Sequence, residues 1–332
     1  MLIPFSLALV IILALVFEFI NGMRDSSNIV ATMISSRAFH PQTALSMTAV
    51  AEFAGPLLFG VTVAKTIGSD IVASEVISLQ ALTVGLLAAI VWNLITWYFG
   101  IPSSSSHALI GGLIGAAVVS SGWGAVKVTG LIKVLLALFI SPLIGFVAGF
   151  VLLKIVYLLS QNATPHINNF FKNSQMFTAV TLAFSHGTND AQKTIGIITL
   201  SLIISGRLTD FSVPFWVVLI SAGTMAAGTA LGGWRLIRTL GGKFYKIRPV
   251  HGFASQLTSG IVILSASMIG LPVSTTQVVS SAIIGVGASE RFGKVRWGVA
   301  VDILTAWVIT IPISALFSAG IYSMLLYFKV SL

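Results

Sequence analysis

Eight long apolar runs, separated by short polar segments, constrain this chain more than any other feature of its sequence. Only 8% of its 332 residues are charged, against roughly 25% in a soluble domain, so a water-facing surface cannot be built from this composition. A helix that spans a membrane needs about 20 apolar residues. The pattern therefore predicts a multi-pass protein of the lipid bilayer. The runs cover residues 4–20, 43–63, 76–99, 130–159, 176–204, 213–234, 251–270 and 298–328.

The net charge of +9 indicates which loops face the cytoplasm, because Lys and Arg gather in cytoplasmic loops. A nucleic-acid partner is not expected. Residues 64–75 hold only Lys65 against Asp70 and Glu75, and this loop is predicted to lie outside. The loop predicted to lie inside, residues 235–250, has no acidic residue and carries Arg235, Arg238, Lys243, Lys246 and Arg248. If successive loops alternate between the two sides of the membrane, these two loops place both termini outside the cytoplasmic membrane.

Two polar segments of the first half recur in the second half in the same order. Residues 100–107 resemble residues 270–277 at a shift of 170, and residues 19–25 resemble residues 184–190 at a shift of 165. Such recurrence predicts a duplicated fold. The first repeat is expected over 1–160 and the second over 161–332.

The same charge pattern gives five crossings in each half, an odd number, so the second repeat is predicted to insert upside down. Inverted repeats are typical of secondary transporters, whose binding sites lie where helices break at mid-membrane. The expected fold is an all-α integral membrane protein, an inverted-repeat helical bundle with broken helices. Residues 101–120, rich in Ser, and residues 271–288, rich in Ser and Thr, are too polar to be plain helices, although the predicted orientation requires one net crossing from each.

Two acidic residues, Asp25 and Asp190, are predicted deep in apolar surroundings. A carboxylate at a span centre costs about 2.5–3.5 kcal/mol, so each needs a partner or an ion. Gly22 and Gly187 are expected to unwind the helix beside them, which would free carbonyl oxygens as ligands for a small cation. The predicted sodium-binding residues are Asn21, Asp25, Asn28, Asp190 and Gln277, and no other metal is expected.

The Pro-Ser/Thr stretches predict a binding site for a phosphate-like anion. Pro102 and Pro272 stop one helix, and the next helix begins with unpaired N–H groups and a partial positive charge. Hydroxyl groups beside such an end bind phosphate without a full positive charge, although simple N-capping by Ser or Thr is the alternative. The predicted phosphate-binding residues are Ser104, Ser105, Ser106, Asn189, Thr275 and Thr276, with Ser103 and Ser274 as further candidates.

Three other polar residues have open roles. Glu52, whose repeat counterpart is roughly Met225, either binds a second cation or hydrogen-bonds to a neighbouring helix. Arg24 and Lys193 either offset the charge of the anion or balance Asp25 and Asp190, and the balancing role is favoured. The two histidines beside these motifs, His107 and His186, are interpreted as hydrogen-bonding core residues.

With these motifs the chain resembles the inorganic phosphate transporter family, which includes the sodium–phosphate symporters. Residues 21–28 and 186–193 look like the two copies of the family motif Gly-x-Asn-Asp-x-x-Asn, and the Pro-Ser/Thr stretches look like its re-entrant segments. The resemblance implies that residues 101–120 and 271–288 form two re-entrant hairpins. It also implies a homodimer in which these hairpins and the Asp motifs enclose phosphate and coupling cations. This chain departs from the pattern at Arg24, at Lys193 and at Gln277, which stands where the first hairpin has His107.

The predicted function is Na⁺-coupled import of inorganic phosphate, with Na⁺ as the coupling ion and no other cofactor. Proton-coupled symport of phosphate or of a metal–phosphate complex is the alternative, and a passive anion channel is a more distant one. An enzyme is not expected. A hydrolase built on Ser106 and His107 is disfavoured because adjacent residues of one helix point about 100° apart.

Overall fold

Helices form the regular structure of this protein in a computed structural model that describes residues 4–242 and 244–329. The first half contains α1 (Phe5–Ser35), α2 (Pro41–Leu58), α3 (Thr62–Ser69), α4 (Leu79–Phe99), α5 (Ser105–Ser121) and α6 (Val128–Leu159). The second half contains α7 (Ile167–Ile204), α8 (Phe215–Leu231), α9 (Trp234–Gly242), α10 (Pro249–Met268), α11 (Thr275–Glu290) and α12 (Trp297–Tyr327).

The two halves share one order of elements. A long helix comes first, two helices separated by a short break follow, and a helical hairpin leads through a short 3₁₀ turn into a last long helix. Even the proline inside that last helix recurs, as Pro142 in α6 and Pro312 in α12. The shared order agrees with a duplication, while the inverted orientation of the second half stays a prediction.

Four of the described helices, α1, α4, α6 and α12, are long and apolar enough to cross a membrane by themselves. The pair α2–α3 passes the same test as one segment and is bent by 77° at its break. Spans of this number and length make the chain a multi-pass membrane protein, as the apolar runs predicted.

The prediction that residues 64–75 and 235–250 are plain loops is wrong, because each region begins within a short helix, α3 or α9. Both helices are amphipathic. Ile67 and Leu240 are buried while Lys65 and Arg238 are exposed, so the basic residues stay on a water-facing side without interrupting the helix. Of the charges used to orient the chain, Lys243 and the side chain of Arg235 lie outside the described residues.

The prediction that Gly22 and Gly187 unwind their helices is also wrong. Helix α1 runs unbroken through the first Asp motif, and α7 runs unbroken through the second. A Cβ on Gly22 would meet the backbone of Met225 in α8, and one on Gly187 would meet the backbone of Glu52 in α2. The two glycines therefore permit close helix crossings. The chain breaks instead between α2 and α3 and between α8 and α9.

Each hairpin turns at a glycine in the left-handed region, Gly100 at φ +67° and Gly270 at φ +72°. The hairpin helices pack against the opposite half: a Cβ on Gly115 of α5 would meet α12, and one on Gly285 of α11 would meet α6. This exchange brings the first turns of α5 and α11 beside the middle of α1 and α7. That the hairpins are re-entrant stays a prediction.

Candidate functional site

The middle of α1 and α7 and the first turns of α5 and α11 enclose a group of polar side chains that are each at most 2% exposed. Side chains of this kind are costly to bury unless they are hydrogen-bonded or paired. We call this group the polar centre. It consists of Asn21, Asp25, Asn28, Ser105, Ser106, His186, Asp190, Lys193, Thr275 and Thr276.

Asp25 is held by hydroxyl groups from both hairpins. Thr276 Oγ1 donates to one carboxylate oxygen at 3.3 Å, and Ser105 Oγ donates to the other at 3.4 Å. The nearest basic nitrogen, Nε2 of His186, is 4.0 Å away. Among the described residues, no lysine or arginine nitrogen lies within 4.0 Å of this carboxylate.

Asp190 is held much more tightly. Its Oδ1 accepts from Lys193 Nζ at 2.5 Å. Its Oδ2 accepts from Thr275 Oγ1 at 3.0 Å and from Asn21 Nδ2 at 3.4 Å, and it lies 3.5 Å from Nε2 of His186. An ion pair this buried is stable only because further hydrogen bonds satisfy the remaining lone pairs.

His186 joins the two carboxylates, and its importance was missed when the sequence suggested an ordinary core residue. Its Nδ1 lies 2.8 Å from Glu52 Oε1, which turns Nε2 toward the other two acids. One ligand atom each from Asp25, His186 and Asp190 lies within 4.8 Å of the others. The signal was present in the sequence, because His186 precedes Asp190 by four residues and so shares its helix face.

Glu52 belongs to the border of the polar centre. Its second oxygen accepts a short hydrogen bond from Thr229 of α8, whose hydroxyl also lies 3.1 Å from the carbonyl oxygen of Gly22. Glu52 packs its backbone on Gly187 as Met225 packs on Gly22, which supports the predicted correspondence of Glu52 and Met225. The acidic side chain is present in only one half.

The first turns of α5 and α11 present hydroxyl groups to the polar centre. Ser104 and Ser274 act as N-caps, accepting from the N–H groups of His107 and Gln277 at 3.2 and 3.3 Å. The hydroxyls that follow them face the acids, apart from Ser106 Oγ, which donates to the carbonyl of Val273 at 3.3 Å. The arrangement places the N-terminal ends of two helices, which favour anions, beside two buried carboxylates.

Other candidate residues lie at the edge of this group. Arg24 donates to Asn93 and, at 2.9 Å, to Ser103 Oγ, so it holds the start of the first hairpin. Asn189 donates to Ser267 Oγ at 2.8 Å in the second hairpin. Gln277 lies 3.4 Å from His107, so the two residues that differ between the hairpins meet each other.

One buried acid went unnoticed in the sequence. Glu18 is fully buried on α1 and accepts from Thr194 Oγ1 at 2.5 Å. It precedes Asp25 by seven residues, two helical turns, and so lies on the same face of α1. The spacing could have revealed it, but its predicted apolar run concealed it.

A helical membrane protein that buries carboxylates beside the N-terminal ends of helices has the features expected of an ion transporter. The model of the phosphate transporter family matches residues 21–166 and 158–318. The chain belongs to the phosphate transporter family, as the motifs predicted.

Similar proteins agree with this assignment. A probable low-affinity inorganic phosphate transporter of Bacillus subtilis (strain 168) is 47% identical over 96% of each chain. One of Rhizobium meliloti (strain 1021) is 44% identical over 94% of each chain. A solved structure described as the sodium-dependent phosphate transporter matches with a TM-score of 0.89 and 25% identity, over 97% of this chain and 99% of that one. The chain is a phosphate transporter and not an enzyme, and the predicted all-α membrane fold is confirmed.

Proposed function

We propose that the protein imports inorganic phosphate by symport with Na⁺. The solved structure with the same fold is described as sodium-dependent, and the polar centre offers oxygen ligands of the kind that hard cations prefer. The observation that carries the proposal is the meeting of Asp25 and Asp190 with hydroxyls from both hairpins in one buried group.

Phosphate binds between the first turns of α5 and α11. The hydroxyls of Ser105, Ser106, Thr275 and Thr276 donate to its oxygens, and the partial positive charge of both helix ends offsets its negative charge. Ser104 acts as the cap that fixes the first of these turns. Asn189 assists through its place beside the second hairpin.

Na⁺ binds beside Asp25 on α1. Asn21 and Asn28 stand four residues before and three residues after this acid, which places all three side chains on one helix face. The carbonyl oxygens Oδ1 of both asparagines are buried and accept no hydrogen bond from the described residues. Asp190 and Gln277 are the proposed ligands from the second half of the chain.

Coupling follows from hydroxyls that the acid and the anion share. Ser105 and Thr276 donate to Asp25 over 3.4 and 3.3 Å, near the long limit for such bonds, so the bonds are weak. A cation bound to Asp25 neutralises the carboxylate, so that both hydroxyl groups are free to donate to phosphate instead. Each ligand thereby raises the affinity for the other, and the effect is reciprocal.

Phosphate uptake into liposomes that contain the purified protein tests the coupling ion. A Na⁺ gradient without a pH gradient should drive accumulation, and a pH gradient without Na⁺ should not. Accumulation under the pH gradient alone would refute sodium coupling. Phosphate flux that never exceeds equilibration would refute symport and indicate a channel.

Proton coupling is the second candidate, favoured by the contact of His186 with Glu52, Asp25 and Asp190. A proton that moves among these groups would replace Na⁺ in the scheme above. Carriage of a metal–phosphate complex belongs to the same candidate, and uptake measured with and without a chelator separates it from free phosphate.

The membrane arrangement is proposed with the function. The repeats 1–160 and 161–332 insert with opposite orientation, both termini lie outside the cytoplasmic membrane, and two copies form a homodimer. Because the chain has no cysteine, single cysteines introduced at Asp70 and Arg238 report their sides through an impermeant thiol reagent. Labelling of both from the same side would refute the inverted arrangement, and light scattering of the purified protein gives the number of copies.

A further inference from the structure

The two Asp motifs occupy equivalent places in the repeats, yet different side chains surround the two acids. At a shift of 165 residues, Asn21 corresponds to His186 and Asn28 corresponds to Lys193. The positions that supply two carbonyl oxygens around Asp25 therefore supply a ring nitrogen and an ammonium group around Asp190.

Lys193 stands where a cation beside Asp190 would stand. Its Nζ contacts Asp190 Oδ1 at 2.5 Å and the carbonyl of Val273 at 3.3 Å. The carbonyl belongs to the turn of the second hairpin, so the ammonium group joins α7 to that hairpin. Carboxylate and carbonyl oxygens are also the ligands that a bound Na⁺ requires. The side chain is 1% exposed, which leaves it little freedom to move aside.

Asp25 forms no ion pair of this kind, since no lysine or arginine nitrogen of the described residues lies within 4.0 Å of its carboxylate. The guanidinium group of the adjacent residue, Arg24, donates to Asn93 and Ser103. The carbonyl oxygens of Asn21 and Asn28, which share a helix face with Asp25, accept no hydrogen bond from the described residues. Asp190 thus has an ion-paired cation, whereas Asp25 has unsatisfied oxygen acceptors on its own helix face.

We infer that the ammonium group of Lys193 permanently replaces a second coupling cation, so that the protein carries a single coupling cation with each phosphate, bound at Asp25. The inference rests on the cation-coupled symport proposed above. It assigns Lys193 a role in stoichiometry: the cation that would neutralise Asp190 during transport is built into the chain and does not cross the membrane.

The test counts cations and phosphate together in liposomes that contain the full-length protein, with radioactive Na⁺ and phosphate. The wild-type protein should move about one Na⁺ per phosphate, and Na⁺ activation should show a Hill coefficient of about 1. In Lys193→Asn, which copies the first repeat, both values should rise toward about 2. Lys193→Arg keeps the charge and should keep both values near those of the wild type.

The reverse exchange in the first repeat is the matched variant. Asn28→Lys places an ammonium group beside Asp25 and should lower Na⁺ activation of uptake by about tenfold or more, since it occupies the remaining cation site. Phosphate binding by this variant should no longer depend on Na⁺. Unchanged Na⁺ dependence in Asn28→Lys would contradict the inference, as would a wild-type ratio of two.

The experiment distinguishes an error in the proposed coupling ion from an error in the role of Lys193. If the wild-type protein moves protons and no Na⁺, the ion named in the proposed function is wrong, and a pH-sensitive dye supplies the same count. One proton per phosphate in the wild type and more in Lys193→Asn would still support Lys193 as a substitute cation. If Lys193→Asn does not fold, the wild-type ratio and Asn28→Lys decide the question.

Discussion

The two halves of this transporter share one order of helices but differ in the charged side chains that they bring to the polar centre. In the first half Asp25 has two long hydrogen bonds from hydroxyls, whereas in the second half Asp190 has a direct ion pair with Lys193. Glu52 supports His186 in one half, and Met225 takes the equivalent place in the other. The close helix contacts at Gly22 and Gly187 are alike in the two halves, while the charged side chains near them differ.

The different partners of Asp25 and Asp190 indicate different roles for the two acids within the polar centre. An acid with weak partners can accept and release a cation during each cycle. An acid with a fixed partner gives the hairpin beside it a stable attachment, because Lys193 also donates to Val273.

Removal of the second acid should damage the fold more than removal of the first. Asp190→Asn leaves Lys193 buried without its carboxylate, and loss of one partner of a buried pair costs about 3–5 kcal/mol. Thermal unfolding of the purified protein in detergent should show this loss. The double variant Asp190→Asn, Lys193→Asn should recover most of it, and no recovery would mean that the ion pair is not the cause.

Removal of the first acid should stop transport and spare the fold. Asp25→Asn keeps an acceptor for Ser105 or Thr276 but loses the charge that attracts the cation. Uptake should fall about 100-fold, corresponding to about 2.7 kcal/mol of lost binding free energy. The unfolding temperature should stay close to that of the wild type, and normal uptake by this variant would refute the cation site.

The glycine crossings should respond alike in both halves. Gly22→Ala and Gly187→Ala each force a methyl group against the backbone of a neighbouring helix, and overpacking of this kind costs about 1–3 kcal/mol. Gly320→Ala is the control, because no atom lies within 4 Å of its added Cβ, and it should stabilise the helix by about 0.5–1 kcal/mol. Chemical denaturation of the three variants measures these differences, and unequal losses at Gly22 and Gly187 would break the symmetry of the packing.

Substitution of Glu52, the acid at the border of the polar centre that only one half contains, should have the smallest effect on transport. Glu52→Gln removes the charge that orients His186 and should lower uptake about tenfold, or about 1.4 kcal/mol. Met225→Leu at the equivalent place should leave uptake near the wild-type rate. A comparable loss in both variants would show that Glu52 acts through packing alone.

The sequence predicted which polar residues lie together in the core better than it predicted the local backbone. Asp25, Asp190 and the hairpin hydroxyls were identified from their rarity within apolar runs and from their recurrence. The prediction that α1 and α7 unwind at Gly22 and Gly187 was wrong, because a glycine within a helix is compatible with either a break or a close crossing of two helices. Only the neighbours, Met225 and Glu52, distinguish the two.

The membrane class, the family and most of the polar residues of the core could be predicted from the sequence. These depend on the length of apolar runs and on motifs that recur, and both can be read along the chain. The spacing along α7 also specifies that Lys193 and His186 share a helix face with Asp190. The contacts between helices could not be predicted, namely those of His186 with Glu52 and Asp25 and that of Arg24 with the first hairpin. They depend on how helices from distant parts of the chain cross, and the spacing along a single helix does not specify this.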